Sequence, residues 1–316
     1  MGRVLVTRRL PDGGLDPLAG HDIVGPKDDD APYTHEELCA LAAEVDAIVS
    51  LLTDRIDADV LVAGAGGGRL RCVANVAVGY DNVDIATAKF HNITVCNTPG
   101  VLDETTADLA FLLILAASRL ASTAEADLRG GRWHGWGITQ YLGRDVHDAV
   151  LGIVGYGRIG RAVAARAAGF GMRVIHHART PTGVAGYVED LDRLLAAADV
   201  VTLHVPGGDT TRHLIDGRRL ALMKATAVLV NTARGPVVDE EALATALHAG
   251  ELFAAGLDVF EREPEVHPRL LAAPRTVLLP HIGSASAATR TNMAQMATGA
   301  VVTVLEGGTP PNVVPG

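Results

Sequence analysis

Short β-rich segments alternate with helical segments along most of this chain, and that alternation restricts its fold more than any other feature. In the first hundred residues the predicted strands are Arg3–Thr7, Asp46–Leu51, Leu70–Val76 and Ile93–Asn97. A capping box at Thr34 begins a predicted helix that extends to about Glu44, and a shorter helix is predicted over Val83–Phe90. Strands that alternate with helices indicate parallel βαβ units, because each helix carries the chain back across the sheet.

A second series follows a long helical segment. That segment extends from about Thr105 to Leu128, and its centre is apolar nearly all round, so the helix is predicted to be buried, either between domains or in a subunit interface. The six strands of the series are predicted at Val150–Val154, Arg173–His177, Val200–Val205, Val228–Thr232, Ala254–Val259 and Val277–Leu279. The helices are predicted at Ile159–Ala168, Asp190–Ala198, Arg218–Met223 and Asp239–His248, with a closing helix over Ala285–Leu305. Six strands in this alternation are typical of a complete dinucleotide-binding sheet.

Composition excludes several classes of protein. The chain is 48% hydrophobic and 20% charged, as in ordinary globular proteins. Its net charge of −10 comes without a cluster of Lys or Arg, so no nucleic-acid partner is expected. Three cysteines without paired spacing favour free thiols, and no metal site is expected. The longest apolar run, Leu109–Ala117, is about half of the ~20 residues that a membrane helix needs. We therefore expect a cytoplasmic protein with no membrane partner.

The turn after the first strand of the second series has the GxGxxG pattern of a phosphate-binding loop. The bare pattern is weak evidence in a chain with 35 glycines, but here it lies between a predicted strand and a predicted helix. In that position, backbone N–H groups and the helix dipole bind pyrophosphate. The predicted cofactor-binding residues are Gly155, Gly157, Arg158, Ile159 and Gly160.

The residues after the next strand bear on which dinucleotide is bound. An NAD site would place an acidic residue there, against the ribose 2′-hydroxyl. This chain instead has Arg179 and Thr180, and no acid occurs before Glu189. An arginine beside a hydroxyl suits a 2′-phosphate, so we predict a preference for NADP(H), with NAD(H) possible. The alternative is that Arg179 is a solvated loop residue of an enzyme that uses both cofactors.

Two such series in 316 residues predict two doubly wound domains, since one hydrophobic core rarely serves a chain of this length. A flavodoxin-like domain is predicted over 1–99, completed by the C-terminal segment 286–316. A Rossmann dinucleotide-binding domain is predicted over 100–285. Ligands of such sheets bind beyond the carboxyl ends of the strands. The active site is therefore expected in the cleft between the domains.

Six sequence blocks in order resemble one enzyme family along essentially the whole chain. They are Asn75–Asp81, Asn97–Gly100 with Thr105–Asp108, Gly155–Gly160, Asn231–Gly235, Asp258–Pro264 and Pro280–Ser284. The chain resembles the D-isomer-specific 2-hydroxyacid dehydrogenases and, among them, the glyoxylate/hydroxypyruvate reductases. The resemblance implies NAD(P)H-dependent reduction of a small 2-oxo acid, with the first domain binding the substrate.

Three residues carry the chemistry that the resemblance implies. Reduction of a 2-oxo acid requires a hydride donor, a cation to hold the carboxylate and polarise the carbonyl, and an acid to protonate the new alkoxide. Arg234 is the expected cation, since its planar fork suits a carboxylate or keto oxygen. His281 is the expected proton donor, and Glu263 is its expected carboxylate partner, which stabilises the protonated ring.

The same resemblance assigns further binding residues. Backbone amides of Val78 and Gly79 are expected to hold the substrate carboxylate, and Leu51 and Leu52 lie in the substrate-facing loop. Thr105 and Asp258 are expected on the nicotinamide side of the cofactor, and His204, Val205 and Pro206 on its adenosine side. The remaining residues expected to contact the cofactor are Thr232, Ala233, Arg234, His281 and Gly283.

The resemblance also implies a homodimer and leaves other functions open. Trp133 and Trp136 lie in a segment that resembles the reductases' dimer loop, although packing within one chain would explain them equally well.

One alternative function is that of a non-enzymatic NAD(H)-sensing corepressor, but the intact set of Arg, Glu and His argues against it. Another is a phosphoglycerate or formate dehydrogenase. With its last residue at Gly316, the chain is not expected to carry the extra regulatory domain of many phosphoglycerate dehydrogenases, and formate oxidation needs no acid–base histidine.

Overall fold

The computed structural model describes residues 1–315, which form two compact units. One unit comprises Met1–Leu102 and the C-terminal segment from Ser284, and the other comprises Asp103–Gly283. The divisions thus fall after Leu102 and Gly283, where the sequence predicted residues 99 and 285. Gly316, the last residue of the predicted C-terminal segment, lies outside the described residues.

Within residues 1–315 the strands are β1 (Arg3–Val6), β2 (Asp22–Val24), β3 (Ala47–Ser50), β4 (Cys72–Asn75), β5 (Thr94–Cys96), β6 (Val150–Val154), β7 (Arg173–His177), β8 (Val200–Leu203), β9 (Val228–Asn231), β10 (Ala254–Leu257) and β11 (Thr276–Leu278). The α-helices are α1 (His35–Ala42), α2 (Ala58–Gly66), α3 (Ile85–Phe90), α4 (Asp103–Ser118), α5 (Ala121–Arg129), α6 (Arg158–Ala167), α7 (Leu191–Ala197), α8 (Gly217–Leu220), α9 (Glu240–Ala249), α10 (Pro268–Leu271) and α11 (Ala287–Leu305). Short 3-10 turns occupy Asp16–Leu18, Ala168–Phe170, Asp209–Thr211 and Gly235–Val237. Every strand predicted from the sequence is present.

The first unit is built on a five-stranded parallel sheet in the order β2-β1-β3-β4-β5. This is the flavodoxin-like order, which reverses direction between β1 and β3. The register aligns Leu5, Ile48, Val73 and Val95 in one buried row across the sheet. The predicted flavodoxin-like sheet is confirmed.

The second unit is a six-stranded parallel sheet in the order β11-β10-β9-β8-β6-β7. A single parallel bridge between His176 and Tyr187 lies at the outer edge of β7. In the common Rossmann order a further strand lies at this edge, and here the bridge occupies its place. The strand order therefore still reverses at β6, between β7 and β8. The neighbouring rows Val200–Val228–Ala254 and Val201–Leu229–Ala255 are both buried, one on each face. The predicted Rossmann sheet, covered on both faces, is therefore confirmed.

The prediction of one long buried helix over Thr105–Leu128 is wrong. The chain bends by 67° between α4 and α5, where Leu120 has a φ of +55°, outside the helical region. Half of α4 is buried, but no residue of α5 is. Within residues 1–315 no single helix is long and apolar enough to span a membrane, and the bent pair α4–α5 passes that test only when its two helices are taken together.

Candidate active site

Two of the three glycines after β6 are required sterically, and the third lies beside open space. Gly155 has a φ of +96°, and a Cβ there would lie 2.5 Å from the carbonyl oxygen of His204. A Cβ on Gly160 would lie 2.2 Å from the carbonyl oxygen of Gly155, so this glycine lets α6 pack onto the turn. Around Gly157, by contrast, a Cβ would meet nothing within 4 Å, and no side chain caps α6. An open space above uncapped helix N–H groups fits the pyrophosphate of a dinucleotide.

The turn is tied directly to the end of β7. The N–H of Gly155 donates to the carbonyl of His177 over 2.9 Å, two residues before Arg179. Arg179 and Thr180 are both exposed. Among the described residues the Arg179 guanidinium has no ion-pair partner. A cation next to the phosphate-binding turn is therefore accessible to an anionic group of the cofactor.

The other predicted cofactor residues of this unit lie in loops and first helical turns. Thr105 is in the first turn of α4, Arg158 and Ile159 are in the first turn of α6, His204, Val205 and Pro206 follow β8, Thr232 and Ala233 follow β9, and Gly283 follows His281 by two residues. His204 lies between two hydroxyls, with Nε2 2.9 Å from Oγ1 of Thr202 and Nδ1 3.4 Å from Oγ1 of Thr232. Burial lowers the pKa of His204 to about 3, so its ring is neutral at neutral pH.

Sheet register brings the predicted catalytic loops to one edge. Asn231, Leu257 and Leu278 are aligned at the carboxyl ends of β9, β10 and β11. Arg234, Glu263 and His281 follow those three ends within a few residues. Because parallel strands end at the same edge, three segments far apart in sequence become neighbours.

The loop that carries Arg234 is held by its neighbours. The Asn231 side chain donates from Nδ2 to the carbonyl of Arg234 over 2.9 Å, and its Oδ1 accepts from the N–H of Ala233 over 3.0 Å. A Cβ on Gly235 would lie only 1.8 Å from the carbonyl carbon of Phe260. This glycine therefore lets the Arg234 loop contact the backbone of the next loop, which carries Glu263.

His281 and Glu263 form a close pair. The distance between His281 Nδ1 and Glu263 Oε2 is 2.8 Å, and Glu263 Oε1 accepts from the N–H of Phe260 over 2.9 Å. Burial raises the pKa of Glu263, but the hydrogen bond and charge of His281 outweigh it, with Phe260 and Arg234 contributing, so the pKa is lowered. The carboxylate is thus ionised at neutral pH and directed at the ring.

Asp258 anchors the loop that carries His281. Its buried side chain accepts from the N–H groups of Ile282 and Gly283 over 2.7 and 2.8 Å, and its carbonyl accepts from the N–H of His281. His281 has a φ of +53°, a conformation that non-glycine residues rarely adopt. Burial raises the pKa of Asp258 to about 6. The geometry gives Asp258 a positioning role, while its contact with the cofactor stays a prediction.

In the first unit, two backbone amides are presented in the predicted substrate loop. The carbonyl of Val78 accepts from Asn97 Nδ2 over 2.8 Å, and that of Gly79 accepts from Asn75 Nδ2 over 2.9 Å. The N–H groups of Val78 and Gly79 donate to no other group in residues 1–315. Two amides whose carbonyls are fixed and whose N–H groups remain available suit an anion. Leu52 is half-buried in the loop after β3.

The asparagines that hold these loops were missed as functional residues. Asn75 and Asn231 each end a buried strand, and both are themselves buried. Asn97 follows β5 directly. An amide that closes a buried strand has to find hydrogen-bond partners in the loop beyond it, and this was the available signal.

Comparisons with known proteins agree with this geometry. The family model "D-isomer specific 2-hydroxyacid dehydrogenase, NAD binding domain" matches residues 111–283, more than half of the chain. The chain belongs to the D-isomer-specific 2-hydroxyacid dehydrogenases. It is therefore an NAD(P)-dependent oxidoreductase.

Relatives of this dehydrogenase match over nearly its whole length. A glyoxylate reductase of Thermococcus onnurineus is 43% identical over 321 residues, which cover 99% of this chain and 95% of the relative. A crystal structure of a Thermus thermophilus protein has a TM-score of 0.92 at 44% identity and covers 99% of this chain and 100% of its own. An NADPH-dependent glyoxylate/hydroxypyruvate reductase from Sinorhizobium meliloti, solved with NADP and malonate, has a TM-score of 0.86 at 34% identity, with coverages of 99% and 96%.

Proposed function

We propose that this dehydrogenase reduces small 2-oxo acids to 2-hydroxy acids, above all glyoxylate to glycolate and hydroxypyruvate to D-glycerate, with His281 as the proton donor. The observation that carries the proposal is the 2.8 Å pair of His281 and Glu263 on the same sheet edge as Arg234. The glyoxylate reductases at 40–46% identity support the substrate class.

Each residue of the set has a distinct task in this proposal. The nicotinamide cofactor, when bound beside the Gly155–Gly160 turn, supplies the hydride. Arg234 binds the substrate carboxylate or keto oxygen and stabilises the negative charge that develops on that oxygen. Glu263 holds His281 by Nδ1 and stabilises the protonated ring, so Nε2 is the nitrogen that gives its proton to the new alkoxide. Val78 and Gly79 offer their free N–H groups to the substrate carboxylate.

A panel of acids tests the proposed substrate class. We expect the highest kcat/KM for glyoxylate and hydroxypyruvate and lower values for bulkier acids such as phenylpyruvate, because a pocket for small acids rejects added volume. The measurement is the change in nicotinamide absorbance, a loss with NADPH or NADH and each 2-oxo acid and a gain with NADP⁺ or NAD⁺ and 3-phosphoglycerate. If 3-phosphoglycerate is oxidised with the highest kcat/KM of the panel, the proposal is wrong and the protein is a phosphoglycerate dehydrogenase.

We further propose that NADPH is preferred over NADH, through Arg179. The exposed guanidinium beside the turn, without an acid at the end of β7, supports this, as does the NADP-bound relative. Exchanging Arg179 for Ala is expected to lower the NADPH/NADH ratio of kcat/KM about 10–150-fold, since one charge-assisted hydrogen bond contributes about 1.5–3 kcal/mol. Arg193→Ala, at an exposed arginine on α7, is the control. A wild-type enzyme that prefers NADH would contradict the proposal.

We propose a homodimer as the functional form. Three large apolar side chains after α5 are strongly exposed: Trp136 by 80%, Ile138 by 74% and Leu142 by 65%. The outer side of α4 forms an apolar groove of about 700 Å³ that includes Phe111 and Leu112. Exposed apolar surface of this kind is typical of protein interfaces. The molar mass from light scattering tests the proposal, which requires two chains and fails with one.

A further inference from the structure

A group of metal-binding side chains lies in the first unit, where α1 faces the beginning of α2. His35 and Cys39 are one helical turn apart on the same face of α1. Asp57 is the N-cap of α2, and Asp59 lies in its first turn. Leu38 of α1 and Val60 of α2 share one hydrophobic core, which fixes the two helices against each other.

His35 Nε2 is at the centre of this group. It lies 3.8 Å from Asp57 Oδ1, 3.7 Å from Asp59 Oδ2 and 3.9 Å from Cys39 Sγ. The ligand atoms of His35, Asp57 and Asp59 all lie within 4.8 Å of one another. The other ring nitrogen, Nδ1, has no hydrogen-bond partner within residues 1–315, so the polar contacts of this ring are on the Nε2 side.

These separations are slightly longer than those of a bound tetrahedral cation. Bonds of about 2.0–2.3 Å to nitrogen, oxygen and sulfur place neighbouring ligand atoms about 3.3–3.6 Å apart. The three distances from His35 Nε2 exceed that range by a few tenths of an ångström. Cys39 Sγ does not lie within 4.8 Å of both aspartate oxygens, so binding requires rotation of the Cys39 side chain as well as of the aspartates. Asp57 also has the support that ligating carboxylates commonly have, since Arg55 Nε lies 2.7 Å from its Oδ2. Its Oδ1 accepts the N-cap hydrogen bond of Val60 over 3.4 Å and keeps a second lone pair for the cation.

We propose that the first unit binds a divalent cation of borderline softness, such as Zn²⁺, through His35, Cys39, Asp57 and Asp59. A thiolate and an imidazole favour such a cation over Mg²⁺ or Ca²⁺, which prefer oxygen ligands alone. Binding replaces the thiol proton of Cys39 with the metal, and that proton passes to solvent. The site joins α1 to the N-terminus of α2 and stabilises the unit without taking part in the oxidoreductase chemistry.

Titration of the full-length protein with Co²⁺ tests the proposal directly. We expect one equivalent of Co²⁺ to give a thiolate-to-cobalt charge-transfer band together with the visible bands of a four-coordinate site. The band identifies the cysteine, because Cys72 and Cys96 are both buried in the sheet. Zn²⁺ is expected to displace Co²⁺ and so to remove the charge-transfer band and the visible bands. The Tm of the protein is expected to rise with the concentration of Zn²⁺.

Three variants decide the assignment. Cys39→Ser is expected to abolish the charge-transfer band, and His35→Ala to weaken Co²⁺ binding at least tenfold. The matched control is His267→Ala, which removes another histidine paired with a carboxylate, Glu241 at 3.0 Å, and is expected to bind Co²⁺ normally. Circular dichroism checks that each variant is folded. A wild-type protein without the band at millimolar Co²⁺, or a band that persists in folded Cys39→Ser, overturns the proposal.

Discussion

Replacing His281 by Ala is expected to lower kcat for glyoxylate by about 10²–10⁴-fold, the usual contribution of a positioned general acid. The affinity for NADPH should change little, because the phosphate-binding turn lies after β6, whereas His281 follows β11. The loop itself should survive the change, since it is fixed by backbone N–H groups that donate to Asp258. Steady-state kinetics and a fluorescence titration with NADPH give the two quantities.

The control for His281→Ala is His267→Ala, in the same unit. His267 is also paired with a glutamate, Glu241, but lies outside the predicted catalytic set. Its substitution should leave kcat within about twofold of the wild-type value, as for surface substitutions in general. Turnover of His281→Ala at the control's rate would remove His281 from the mechanism.

Substituting Arg234 by Ala is the second change with a large expected effect. We expect kcat/KM for glyoxylate to fall by about 10²–10³-fold, because a preorganised cation that stabilises developing negative charge has been removed. Arg234→Lys should retain an intermediate activity, since Lys keeps the charge but lacks the planar fork that grips a carboxylate. Kinetics with saturating NADPH and varied glyoxylate measure both variants.

The distribution of the loss between kinetic constants identifies the role of Arg234. Loss of substrate binding and of transition-state stabilisation should raise KM for glyoxylate and lower kcat together. Arg193→Ala, which removes an exposed arginine, should change neither. A variant in which only the KM for NADPH changes would make Arg234 a cofactor-binding residue alone.

Much of the fold follows from the sequence because buried parallel strands leave continuous apolar runs. The elements that were missed lack that signal. β2 is a three-residue edge strand with two exposed side chains, and α2 has two glycines among nine residues, which lowers its helix propensity. The bend at Leu120 was hidden because neither a glycine nor a proline marks it and residues compatible with a helix continue on both sides.

Candidate residues of the site could be named from the sequence, but their arrangement could not. Sequence blocks name Arg234, Glu263 and His281 as candidates, whereas their proximity depends on the register of three strands. The close approach at Gly235 and the left-handed conformation of His281 arise from tertiary contacts that no local pattern encodes. The cluster around His35 was missed for the same reason, since its acids lie on the next helix.

The most direct test of the account is the product formed when wild-type enzyme is mixed with NADPH and hydroxypyruvate. The account predicts one D-glycerate for each NADPH consumed, at a rate that depends on intact His281 and Arg234. If neither NADPH nor NADH is consumed faster than without enzyme, with hydroxypyruvate or with glyoxylate, the account is contradicted.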